Sequence, residues 1–207
     1  MKKFRHFKQV EQKEKKSKAG LYLAIFLAVI MIGGIGGIFL GNPSTTSDNS
    51  FGKYDFKNVN NYWVTTVNKK ETSFYFLPQQ VADLSVSQTA FERIKNSQGL
   101  IIVFYPGHNS TKKLQALDVF RFEVANALVT AYNKQVGFGI TTNSSAYTLP
   151  ILNCINSSFY LPIMLVDFEN ETAVSLINDC IIVSATDENS LLSLMDNLKY
   201  RIYGVLE

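Results

Sequence analysis

Leu100-Ile-Ile-Val-Phe-Tyr105, followed by Pro106-Gly-His-Asn-Ser-Thr111, is where the fold of this chain is decided. An unbroken apolar run without polar alternation predicts a central strand covered on both faces. Proline and glycine then interrupt it. Over residues 112–132, Leu117, Phe120, Val124, Leu128 and Ala131 recur at steps of three and four, the stripe of a helix packed by one side. Residues 135–142 read as another strand. Strand, helix and strand in this order imply a right-handed crossover and parallel pairing. The predicted class is therefore α/β, one domain with a mixed β-sheet and packing helices.

Upstream, Tyr62-Trp-Val-Thr-Thr-Val67 and Thr72-Ser-Phe-Tyr-Phe-Leu77 are β-rich and flank the polar Asn68-Lys-Lys-Glu71, which predicts a hairpin. Pro78 ends the second run, and a short helix is expected over residues 89–95. Downstream, Leu161-Pro-Ile-Met-Leu-Val-Asp-Phe168 reads as a strand, Glu169-Asn-Glu-Thr172 as a turn and Ala173-Val-Ser-Leu-Ile177 as the returning strand. Asn178-Asp179 turns the chain into Cys180-Ile-Ile-Val-Ser184. Thr186 or Asp187 then caps a helix striped by Leu191, Met195, Leu198 and Ile202, and Gly204 stops it.

The proline-led strand, the hairpin and the closing helix, with the strand and helix around residues 100–132, resemble the core of the thioredoxin-like family over about 100 residues. The resemblance implies a thioredoxin-like sheet and, by extension, thiol-disulfide redox or chaperone work. The loop after residue 105 has no cysteine where that chemistry would sit, and the strand at 180–184 is extra. The layout also resembles single-pass archaeal surface proteins, a likeness that carries no activity with it.

Residues 21–40 are uncharged and mostly aliphatic. As a helix they span about 30 Å, the hydrocarbon thickness of a bilayer. Lys2, Lys3, Arg5, Lys8, Lys13, Lys15, Lys16 and Lys18 precede the run against only Glu11 and Glu14, and no charge follows it through Ser47. By the positive-inside tendency the N-terminus is cytoplasmic and the rest is extracytoplasmic. The organisation expected is a basic tail (1–20), a transmembrane helix (21–41), a flexible tether (42–52) and a folded domain (53–207). Two rival readings are a cleaved signal peptide and a pilin-like subunit processed near Ala19. The run is longer than a signal peptide's apolar core, and Gly33, Gly34, Gly36 and Gly37 crowd its end, a poor start for one continuous rod. Gly33, Gly37 and Gly41 form two small-xxx-small steps, a seam for a homodimer through the membrane helix.

The net charge of +3 belongs to this tail, and the remainder is mildly acidic, so composition gives no nucleic-acid-binding face. Cys154 and Cys180 are the only cysteines. In an exported domain a lone pair is expected to form a disulfide, and closing a loop of about 25 residues contributes on the order of 3 kcal/mol. The spacing is unlike the reactive Cys-x-x-Cys arrangement.

In Pro106-Gly-His-Asn-Ser-Thr-Lys-Lys113, free N–H groups with Lys112 and Lys113 are placed to hold an anion, but the second glycine of a nucleotide-phosphate loop is missing. An ordinary capped connection is expected there, and His108 has no evident partner. Asn109, Asn143, Asn156 and Asn170 begin N-x-Ser/Thr sequons at expected turns or loops, candidate glycan acceptors. Tyr62, Trp63, Phe74 and Tyr75 put aromatics on both faces of the hairpin, with packing the expected fate of most. No carboxylate pair, zinc spacing or Ser/His/Asp order suggests catalysis, and no cofactor motif stands out. The expectation is a binding or scaffolding domain that meets the bilayer and other envelope proteins.

Overall fold

The computed structural model describes residues 49–207. The basic tail, the apolar run with Gly33, Gly37 and Gly41, and most of the predicted tether lie outside the described residues. Among the described residues no helix is long and apolar enough to cross a membrane.

Strands β1 (Ser50–Phe51) and β2 (Tyr54–Asp55) pair antiparallel across Gly52, whose φ of +58° suits a residue without a Cβ. Residues 50–52, expected in the tether, thus belong to the folded unit. An antiparallel sheet follows, β3 (Lys57–Val59), β4 (Tyr62–Val67) and β5 (Lys70–Phe74). The β4–β5 turn is tighter than the sequence suggested, and a second turn, between β3 and β4, was not expected. Asn60 and Asn61 have φ of 52° and 67°, and Asn68 and Lys69 have 51° and 66°. Two successive positive φ values match the right-handed twist of the flanking strands. Lys70 and Glu71, expected in the turn, instead pair with Val67 and Thr66 in the ladder.

Pro78 opens a one-turn helix, α1 (Pro78–Val81), where its missing N–H leaves nothing unsatisfied. Next come β6 (Ser85–Val86), α2 (Gln88–Asn96) capped by Ser87, β7 (Gly99–Phe104), α3 (Thr111–Tyr132) and β8 (Gln135–Ile140). After a 3-10 turn at Cys154–Asn156 come β9 (Ile163–Phe168), β10 (Ala173–Ile177), β11 (Cys180–Ala185) and α4 (Glu188–Ile202). Asp187 caps α4 by accepting from Ser190 N at 2.8 Å, and Gly204 ends it at φ +69°.

The main sheet has the order β6-β10-β11-β9-β7-β8. Strands β7, β8, β9 and β11 run parallel, as the strand-helix-strand reading required, while β10 opposes β11. One expectation is corrected. The strands at 163–168 and 173–177 do not form a hairpin, because β11 lies between them and pairs with both. The hairpin is β10–β11, turned at Asn178 with φ 55°, and β9 sits parallel beside β7. This pairing departs from the thioredoxin-like arrangement that the sequence resembled.

Helices cover only one face of the sheet. Leu100, Ile102, Phe104, Met164, Val166, Ile181 and Val183 share one buried cluster with the apolar stripes of α3 and α4. Their alternates, Val103, Ile163 and Cys180, are closed instead by Leu152 and Cys154 from the loop after β8. The central strand is covered on both faces, one by helices and one by loop. Cys154 and Cys180 lie at disulfide distance, Cα atoms 5.3 Å apart, and tie that loop to the first residue of β11.

Candidate functional site

Parallel strands deliver their following loops to one edge of the sheet. From β7 the chain goes first to β8 on one side, and the next strand, β9, lies on the other. Outside the carboxyl ends of β7 and β9 is therefore the place where an open α/β sheet leaves a crevice. Residues 105–110 leave β7 there, and Ser110 caps α3 by accepting from Lys113 N at 3.4 Å.

His108 from this loop meets Asp167 at the end of β9, Nε2 to Oδ1, at 2.8 Å. The carboxylate accepts, so the other ring nitrogen, Nδ1, is left to meet solvent or a ligand. The two side chains are 14% and 32% exposed. Asp167 Oδ1 also accepts from Phe168 N at 2.7 Å, which fixes the carboxylate. Tyr105 and Phe168 stand edge-on to the imidazole, each with ring centroid 5.2 Å away. The Tyr105 phenol folds over Gly107, whose missing side chain leaves it room.

Lys113 turns onto the Phe168 ring, 4.7 Å from its centroid, and Lys112 is exposed. The two lysines therefore do not converge on the loop as an anion cradle would need, and Ser110 caps α3 in the ordinary way. At the same edge Thr141 N donates to Phe104 O at 3.0 Å, and Thr141 Oγ1 is buried with no partner among the described residues. Ser184 Oγ donates to Glu169 Oε2 at 3.2 Å, and a shallow cavity of about 590 Å³ opens along Phe168, Glu169, Asn170 and Glu171.

The reading of His108 as partnerless is corrected. Asp167 is 59 residues away in sequence, and only the pairing of β9 with β7 unites them. No described serine, threonine or cysteine hydrogen-bonds to His108, so the pair lacks the nucleophile of a hydrolytic triad. Among the described residues, no group of three or more His, Cys, Asp and Glu side chains could hold a metal ion.

The other candidates lie elsewhere. Cys154 and Cys180 are at the opposite edge, and Cys180 is 2% exposed. Asn109, Asn143, Asn156 and Asn170 are all exposed. Phe74 is buried and stacks on Tyr200, centroids 4.0 Å apart, whereas Tyr62 meets Tyr75 edge-on at 5.1 Å nearer the surface and Trp63 is half-buried. Arg121, which sequence reading did not single out, is buried among the rings of Phe104, Phe122, Phe138 and Tyr147. Its Nε donates to Asp118 Oδ1 at 2.9 Å, and Tyr147 Oη donates to Asp118 Oδ2 at 3.2 Å, pinning the loop after β8 to α3.

A second buried polar group lies on α4. Asp196 Oδ2 accepts from Tyr75 N at 2.6 Å and Phe76 N at 2.9 Å, while Oδ1 has no hydrogen-bond partner. Burial raises its pKa to about 7, against the opposing pull of Lys199 and of the two N–H groups. Lys199 itself bonds Glu123 at 2.7 Å and Ser73 O at 2.8 Å. No known protein family, curated protein or solved structure matches this chain.

Proposed function

We propose that this chain is a membrane-tethered extracytoplasmic binding domain that meets other envelope proteins. Its recognition edge would be the crevice around His108 and Asp167. The observation that carries the reading is the placement of the only two cysteines at disulfide distance, in a domain that follows a basic segment and a bilayer-length apolar run. The edge supports binding over catalysis: it offers a fixed imidazole–carboxylate pair between two aromatic rings but no nucleophile bonded to it.

An alkaline phosphatase fused after Glu207 tests the topology, since that enzyme needs exported, oxidising conditions to fold. Activity in cells, with the fusion retained in membranes through a carbonate wash, is the expected result. An inactive fusion would overturn it. Turnover of a substrate by the purified chain, abolished in both H108A and D167N, would replace binding with catalysis.

The redox alternative rests on Cys154 and Cys180. It is the weaker reading because Cys180 is almost wholly covered, while exchange needs an accessible thiolate. A reduction potential below about −300 mV fits a structural bond, and one near −120 to −230 mV would favour exchange.

A further inference from the structure

Residues 135–166 contain no Asp, Glu, Lys or Arg, although charged residues stand at both borders, Lys134 and Asp167. Much of this segment is surface loop, and its tip is apolar. Ile155 is 91% exposed, Tyr160 64% and Phe159 51%, with Leu161 open beside them. Single exposed apolar side chains are ordinary, but a contiguous group on one uncharged loop marks a contact surface.

The loop is held in this posture. Ser157 Oγ donates to Asp179 O at 2.7 Å and accepts from Ile163 N at 2.8 Å. Gln98 N donates to Tyr160 O at 3.0 Å, and the Arg93 guanidinium lies 4.4 Å from the Phe159 ring centroid. Near the tip the loop bonds to itself: Asn153 N donates to Asn156 Oδ1 at 3.0 Å, Ile155 N to Asn153 Oδ1 at 3.0 Å and Leu161 N to Ser158 Oγ at 3.2 Å. Internally bonded polar atoms with outward aromatic and aliphatic side chains suit a segment that leaves water for a lipid interface.

The rest of the chain identifies the occupant. The apolar run ends at Leu40 and the described chain begins at Asn49, so the eight residues between reach at most about 29 Å. A domain so tethered stays close to the bilayer surface. It is also entered from the fitting end. Phe56 packs on Tyr200 near the C-terminus of α4, with ring centroids 5.9 Å apart. That terminus shares a cavity with Lys95 and Tyr132, in the last turns of the helices α2 and α3 that lead into β7 and β8. The loop joins the sheet at this same amino edge, through Gln98 before β7 and Ile163 of β9.

We infer that residues 155–161 form a second membrane contact, with Ile155, Phe159, Tyr160 and Leu161 entering the headgroup–acyl boundary of the bilayer that carries the anchor. This rests on the tethered reading above. The contact would hold the domain in one orientation and leave the opposite, carboxyl edge with His108 and Asp167 facing outward.

The test uses the full chain in phosphatidylcholine vesicles, with and without lipid brominated high on the acyl chain. Trp63 is the only tryptophan and gives the background, while I155W adds a probe where a larger side chain displaces nothing. The expected result is that brominated lipid removes about half or more of the added emission and leaves that of Trp63 unchanged, as for a side chain at the acyl boundary. Unquenched I155W in protein that survives a carbonate wash overturns the loop contact alone. Protein that washes off overturns the anchor and the contact with it. A benzophenone amino acid at Tyr160 identifies the occupant directly. Crosslinks to lipid support the contact, whereas crosslinks to a second copy or another protein overturn it. A glycan on Asn156 in the mature protein would also overturn it.

Discussion

Asp196 is a buried carboxyl whose protonation bears on stability. Its carboxyl has a folded-state pKa of about 7 through burial, well above the unfolded value of about 4. Between those values the native state holds a proton that the unfolded chain has lost, so the contribution of Asp196 to stability is full below about pH 4 and is lost as pH rises through about 7. Lys199, Glu123, Tyr75 and Tyr200 are the ionisable groups that face or couple to it, and Lys199 limits the shift. D196N keeps a carbonyl oxygen for Tyr75 N and Phe76 N without the charge. Urea denaturation at pH 4.5 and 8 should show a steep loss for the natural chain and a flat profile for D196N. The variant should gain on the order of 1–3 kcal/mol at pH 8. A D196N chain less stable at pH 8 would mean that the ionised carboxylate is held favourably. Neither Asp196 nor the His108–Asp167 pair was legible in the sequence. Asp196 sits beside the apolar helical position 195, and its partners Tyr75 and Phe76 lie about 120 residues away. Such sites exist only through tertiary pairing, which residue spacing along the chain does not encode.

Among the elements, those with strong local patterns were legible: the apolar run of β7, the long stripe of α3, and α4 between Asp187 and Gly204. What failed was adjacency. A strand, a polar turn and another strand at 163–177 look like a hairpin, yet insertion of β11 between them satisfies the same alternation. Local pattern fixes which residues face inward but not which strand is next door. The short strands β1, β2, β3 and β6 were also missed, since two or three residues carry no period to detect. Turn chemistry was half legible. Asn68 favours the left-handed region, but Lys69 at φ 66° does not. K69G should therefore stabilise the β4–β5 hairpin by about 1 kcal/mol, read as a raised thermal midpoint with unchanged circular dichroism. K69V, β-branched at the same φ, should lower it. Equal midpoints for both variants would show that the turn does not keep this geometry in solution.

At the scale of the whole molecule, helices cover one face of the sheet and an uncharged, disulfide-tied loop closes part of the other. On the helical face many side chains interlock, so no single one determines coverage. The loop face relies on Leu152, Cys154 and the anchor points of Ser157, with Cys154 and Cys180 joining residues 26 apart. Cross-linking a loop of that size restricts the unfolded chain by roughly 3 kcal/mol. The C154A/C180A double variant should lose about that much, with its midpoint shifted in urea and the slope steepened by a more open unfolded state. Hydrogen exchange should place the native-state loosening in residues 150–162 and the start of β11, leaving α3 and α4 protected, because they pack on the other face. The same burial predicts that the natural bond resists mild reductant until denaturant opens the sheet, since Cys180 is 2% exposed. Loss of protection spread evenly over both faces would mean that the loop supports the whole core. A loss well below 1 kcal/mol would mean that Arg121, Asp118 and Tyr147 hold the loop without the cross-link.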